Sequence, residues 1–274
     1  MSNRSIKPLG APMRAMLILA GFLVLISGVQ LFVFAEQTDR FFAWTIQPPL
    51  TAAFLGGAYW SSMLLEWLSA REAHWANARI AVLAVFAFTL ITLVVTLIHI
   101  ERFHFANSDP LARGAAWAWV IVYAVVPLVL GVLIPEQVRT PGGDPPTLVL
   151  LPPWLWSLIG FQAAALLTIG LMLLIAPIFS SSLWPWQLTP LTARAVGAWL
   201  VGLGIAAVHV LREGDLMRAR SVQISSAAFV ALQAVALARY PATVVWSDPR
   251  LWIYIAFLAS ILAVSLYAWR ATNR

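Results

Sequence analysis

Few side chains in this 274-residue chain are equipped for chemistry, and they fall into small groups. His99, Glu101 and His104 stand together, with Arg102 among them, just beyond an apolar run. An imidazole beside a carboxylate is the usual equipment for general acid–base work. Glu66 and His209 lie inside apolar runs, each near one end. An ionisable group in a membrane interior is costly, which makes each a functional candidate by default. Arg194 sits a few residues into another run, where a guanidinium could grip a carboxylate or a lipid headgroup. Trp44 and Trp186 head two copies of a repeated motif. Trp44, Trp186, Arg194, His99, Glu101, His104, Glu66 and His209 therefore form the expected ligand-binding set, with no catalytic residue and no metal ligand assigned.

Each of these residues also has a plainer reading. Glu66 can be an interfacial carboxylate paired with a nearby arginine or tyrosine, on a helix face shared with Tyr59 and Ser62. His209 can be a neutral imidazole bonded to a carbonyl, and Arg194 can extend its charged head toward water. The cluster at 99–104 can be a polar cap on a span end. Tryptophan, half apolar and half hydrogen-bonding, suits the headgroup level.

Many chemistries are excluded outright. Cysteine is absent, so there are no disulfides, thiolate metal sites or cysteine-held iron–sulfur clusters. Lys7 is the only lysine, so no Schiff base forms within a span. Phosphate-binding glycine loops, a His-Glu-x-x-His pair and an aspartate-rich diphosphate motif are all missing. Bis-histidine haem needs two imidazoles at one depth. His99 and His209 lie near opposite faces, about 30 Å apart, and His99 with His104 has the wrong spacing. No cofactor is expected.

The elements that carry these residues are membrane helices. The chain is 61% hydrophobic and 10% charged, against roughly a quarter charged in soluble domains. Residues 15–35 contain no charge, and a run of about 20 such residues spans a bilayer as a helix. Eight runs are predicted, at 15–35, 48–69, 79–100, 114–134, 155–178, 192–211, 220–240 and 250–269. The first mimics a signal peptide before Ala35 but is long enough to be retained. The net charge of +6 comes from scattered arginines rather than clusters, which speaks for topology and against nucleic acid.

The chain repeats itself at an offset of 141, as from Pro49 to Pro190. Pro49-Leu50-Thr51-Ala52 returns as Pro190-Leu191-Thr192-Ala193, Gly56 as Gly197, Arg71-Glu72 as Arg212-Glu213 and Arg79 as Arg220. Upstream, Gly28 and Gly170, and Trp44 and Trp186, share 142. The expected fold is an all-α polytopic membrane protein: two tandem four-helix repeats about a pseudo-two-fold axis along the membrane normal. Residues 1–134 form the first repeat, 135–153 a flexible Pro/Gly-rich linker and 154–274 the second repeat. Small residues spaced by four (Ala53, Gly57, Ser61; Ala198, Gly202, Ala206) suggest that spans two and six pack closely at the centre, against each other. Arg4, Lys7, Arg14, Arg71, Arg79, Arg139, Arg212, Arg218, Arg220, Arg270 and Arg274 share one side, against Arg40, Arg102, Arg113, Arg194, Arg239 and Arg250. The positive-inside rule then makes both termini cytoplasmic, in the cytoplasmic (inner) membrane.

The four-plus-four plan resembles haem A synthase in architecture alone. That family carries paired histidines on the even-numbered helices of both halves, whereas only span six has one here, so its activity is not carried over. Three functions are weighed. The first is a non-enzymatic protein that binds or transports a small or lipid-like ligand where the repeats meet. The second is a structural or assembly subunit of a larger membrane complex, and the third an enzyme that modifies lipid within the membrane. Expected partners are membrane lipids, a small hydrophobic or anionic ligand and proteins of a membrane complex.

Overall fold

The computed structural model describes residues 5–273, so Arg4 and Arg274 of the topology count lie outside the described residues. Among the described residues there are eight helices of 18 residues or more and no extended strand. They are α1 (Ala11–Gly28, continued by a π-helical turn Val29–Val33), α2 (Pro49–Arg71), α3 (Trp75–Ile98), α4 (Pro110–Arg139), α5 (Pro153–Ile175), α6 (Pro190–Glu213), α7 (Arg220–Arg239) and α8 (Pro249–Thr272). Helices α2, α4, α5, α6 and α8 begin on proline, which loses nothing at a position whose N–H has no helical partner. Asp109 and Asp248 cap α4 and α8 by accepting from Leu111 and Arg250 N–H groups at 2.8 and 2.9 Å. Gly214, with φ +59°, closes α6 in the left-handed conformation.

Seven of these helices are long and apolar enough to cross a membrane, which makes this a multi-pass helical membrane protein. α2 has the length but not the apolarity. It buries most of its residues, including Thr51, Ser61, Ser62, Glu66 and Ser69. A helix enclosed by other helices need not match the lipid, so its polar residues are tolerated where lipid-facing ones would not be.

The helices pack by a rule that holds twice. α1 lies along α2, and α5 along α6; α3 pairs with α4, and α7 with α8. Two extensive contacts join the sets, α2 with α7 and α3 with α6, and α3 also touches α7 more lightly. α2 and α6 only graze each other, which corrects the expected direct pairing. Their small residues face across instead: Gly57 lies against Leu232 and Gln233 of α7, and Gly202 against Ala84 and Phe88 of α3. Gln233, wholly buried, donates to the Phe54 carbonyl of α2 at 3.1 Å. Bulky residues on α3 and α7 fill the space a central pair would occupy.

One end of the bundle, termed basal, holds both described termini. There the Leu9 N–H donates to the Ala73 carbonyl and the Leu151 N–H to the Gly214 carbonyl, both at 2.9 Å. The Trp75 N–H reaches Lys7 and the Leu216 N–H reaches Val149 in the same way. Residues 149–151 thus stand to α6 and α7 as 7–9 stand to α2 and α3.

The expected flexible linker is tied down at this end. α4 continues through Pro135 to Arg139, past the expected end at 134, because membrane helices tolerate proline when neighbours satisfy the freed backbone. Gly143 exchanges backbone hydrogen bonds with Ser5 and Lys7, and Asp215 accepts from the Leu148 and Val149 N–H groups. Arg79 of α3 forks between Asp144 and Glu213, while Arg218 donates to Glu213 and to the Pro145 carbonyl. Charge pairing replaces the freedom that the Pro/Gly composition suggested.

Candidate functional site

At the distal end, the repeated motif folds inward rather than lying at the headgroup level. Trp44 and Trp186 are both buried. Trp44 packs against Phe42, Phe103 and Trp119, at 4.7 to 5.2 Å between ring centres, and its indole N–H has no partner among the described residues. The Trp186 indole donates to Thr51 Oγ1 at 3.0 Å, joining the halves. The sequence difference between the copies explains this bond. Thr189 and Thr192 form a capping box at the start of α6. The equivalent of Thr189 is Pro48, which has no hydroxyl, so Thr51 is free to accept from across the interface.

The other expected distal residues separate into distinct jobs. Arg194 is not extended toward water. Its Nε donates to the Leu174 carbonyl at 3.0 Å and its Nη1 to His99 Nε2 at 2.7 Å, which fixes His99 as the Nδ1–H tautomer. His104 clasps the loop before α2: its Nδ1 donates to the Phe42 carbonyl at 3.0 Å, and Thr45 Oγ1 donates to its Nε2 at 3.1 Å. Glu101 is exposed and faces Arg102 at 3.6 Å. The three groups have three separate partners and form no hydrogen bond with one another. Among the described residues no three His, Asp or Glu side chains converge as a metal site would require.

His99 makes pH a usable probe. Burial and the Arg194 guanidinium hold its pKa below the ordinary 6.5. The folded chain therefore resists a proton that the unfolded chain accepts, so stability is full above about pH 6.5 and falls as pH drops through the folded value. Thermal unfolding across that range is expected to show an acid loss in the wild type that His99→Gln lacks. Equal pH profiles would refute the Arg194–His99 contact.

Glu66 and His209 take different surroundings. His209 is half-buried on α6, a turn before Arg212 and Glu213. Glu66 is 1% exposed on α2. The Ser62 hydroxyl donates to its Oε1 at 3.1 Å, and Oε2 has no partner among the described residues. Neither an arginine nor a tyrosine pairs with it, contrary to the plainer expectation.

One sizeable cavity was not legible in the sequence. It measures about 320 Å³ and lies between α5 and α8, which touch only lightly, with α6 and α7 behind. Phe54 of α2 and Phe229 of α7 form its inner wall, and Phe161 and Ile253 flank its opening toward the lipid side. Its polar groups, Ser180, Trp184, Arg250 and Tyr254, all belong to the distal loop or the first turns of α8. The Trp184 indole N–H is buried without a partner among the described residues. Arg250 is held by Asp248, with Nε at 2.9 Å from Oδ2, and by the Ser182 carbonyl. Trp186 stands behind, its ring 5.2 Å from Trp184 and 5.6 Å from Tyr254. A smaller cleft of about 160 Å³ occupies the corresponding place in the first half, between α1 and α4. The only legible signal was Trp184-Pro185, which stands where the first copy has Phe42-Ala43.

No protein-family model, curated protein or solved structure was found to match this chain. Class and function therefore rest on the helices and the site itself.

Proposed function

We propose that the chain is a non-enzymatic protein of the cytoplasmic membrane that holds the acyl chain of a lipid-like amphiphile between α5 and α8. In this reading α2 crosses with the other seven helices, both termini are cytoplasmic, and two four-helix units (1–134 and 154–274) are joined by 135–153. The common sequence offsets, the doubled basal hydrogen bonds and the twice-used packing rule support a tandem duplication. A duplication with parallel halves has its axis along the membrane normal. The surplus of arginine at the basal end supports a cytoplasmic position for that end.

The ligand reading is carried by one observation: the 320 Å³ cavity is apolar along its length and polar only at its distal end. An amphiphile has the same gradient. A volume near 300 Å³ is at the lower bound of ligand sites, and the opening between α5 and α8 faces the bilayer that supplies such molecules. A phosphate or ester oxygen at the mouth would accept from the Trp184 indole, whose lack of a partner otherwise costs about 1–3 kcal/mol. Ions and sugars would find no partners in the apolar depth. The site differs from the one expected at the junction of the repeats: it belongs mainly to the second half, and the first contributes Phe54. Trp186 supports its wall, whereas Trp44, Arg194, His99, Glu101, His104, Glu66 and His209 lie outside it.

Native mass spectrometry of protein purified in mild detergent tests this reading. A retained lipid is expected, and Ala165→Trp or Leu203→Trp, which fill the cavity, are expected to release it while the helices remain folded. A wild-type chain that carries no lipid, or that leaves the membrane only with a stoichiometric protein partner, would overturn the reading.

A further inference from the structure

The first half contains a second cavity with different chemistry. It measures about 30 Å³ and is lined by α1, α2, α3 and α4. Glu66, Ser62, Thr89 and Tyr123 supply its polar atoms, and among the described residues no arginine, lysine or histidine lines it. From α1 only Ala20, Leu23 and Val24 face it. Next to it, the Tyr59 and Tyr123 hydroxyls bond each other at 2.6 Å. The volume exceeds the roughly 10–15 Å³ that one water needs.

Glu66 presents a specific problem in this setting. An ionised carboxylate enclosed without a counter-charge costs far more than its neutral form. A neutral carboxyl carries one O–H donor, which itself needs an acceptor. Oε1 already accepts from Ser62, and Oε2 is buried without a partner among the described residues. We propose that Glu66 is a proton-binding carboxylic acid of the membrane interior. Its proton rests on Oε2 and is donated to a water in the adjoining cavity, which the hydroxyls of Thr89 and Tyr123 help to hold. The site belongs to one copy alone, since the repeat equivalent of Glu66 is Ala207. It adjoins the 160 Å³ cleft between α1 and α4, since Leu23, Val24, Val122 and Tyr123 line both. This proposal does not depend on the lipid reading of the second half.

An apolar carbodiimide reads out such a group. The carboxyl proton moves to one nitrogen of dicyclohexylcarbodiimide as the carboxyl oxygen bonds its central carbon. The O-acylisourea that forms rearranges to an N-acylurea, so the whole reagent is added and nothing leaves. Peptide mass spectrometry of the full chain in lipid vesicles is expected to find this adduct on Glu66, and Glu66→Gln to reduce it to background. A water-soluble carbodiimide is expected to spare Glu66 and modify exposed acids such as Glu101. Labelling of Glu66 by the soluble reagent in preference to the apolar one would overturn the enclosed site. Infrared difference spectra of wild type against Glu66→Gln test the proton itself. A protonated-carboxyl carbonyl band at neutral pH that shifts in heavy water is expected, and a carboxylate band in its place would overturn the proposal.

Discussion

Replacing Gly56 with alanine is expected to destabilise the protein by about 3 kcal/mol, the upper part of the range for an overpacked core. A Cβ at Gly56 would stand 2.4 Å from the Phe32 backbone nitrogen and 2.8 Å from the Leu31 carbonyl carbon. These are main-chain atoms of the turn that extends α1, and neither can swing away as a side-chain tip can. The second half repeats the arrangement, since a Cβ at Gly197 would meet the Gly170 carbonyl at 2.8 Å. Gly131 provides the control. It lies inside α4 with nothing within 4 Å of its notional Cβ. Alanine there is expected to be neutral, or to stabilise by up to about 1 kcal/mol through helix propensity. Denaturant titration in mixed micelles separates the two outcomes. If Gly56→Ala and Gly131→Ala unfold together, the close approach of α1 and α2 is wrong.

Glu213→Ala is expected to cost a similar amount, about 3 kcal/mol, by a different mechanism. Glu213 has a side chain only 6% exposed and receives both Arg79 and Arg218. Removing one partner of a buried ion pair leaves charge without compensation, which costs more than the pair contributed. Arg79 would keep Asp144, and Arg218, among carboxylates, only its longer approaches to Asp144 and Asp215 at 3.6 and 3.7 Å, so the linker should loosen along with the helices. Limited proteolysis between residues 140 and 148 is expected to accelerate together with unfolding. Unchanged proteolysis and stability would mean that the basal network does not hold the halves together. Arg102→Ala is the contrast: Arg102 and Glu101 are 72% and 62% exposed, and surface pairs of that kind contribute at most about 1 kcal/mol.

The helical membrane class was legible in the sequence for reasons of solvent. A hydrocarbon solvent permits long helices and forbids open strands, so long uncharged runs such as 15–35 dictate helices on their own. The offset of 141 pairs Gly56 with Gly197, and at both positions the missing side chain lets backbones meet. Locations that depend on which residue faces which neighbour were not legible. The polar face of α2 became interpretable only with its enclosure by other helices, and its small residues turned out to meet α7. Thr51 accepts from Trp186, a contact no spacing announces, because Pro48 stands where Thr189 stands 141 residues on.

The candidate site shows the same division more sharply. Glu66 was visible from sequence because a carboxylate amid apolar residues is costly anywhere. Its lack of a cationic partner depends on four helices arriving together, and only the tertiary structure decided that. His99, Glu101 and His104 looked like one acid–base group because they are adjacent in sequence. The loop geometry instead hands each a different partner. The cleft between α5 and α8 left no mark in either helix alone, since a cavity is the space two surfaces fail to fill. Composition determined the kind of protein, because the solvent acts on every residue of a helix. Vacant space and unpaired hydrogen-bonding groups were decided by packing between distant segments, where single contacts hold no sequence periodicity.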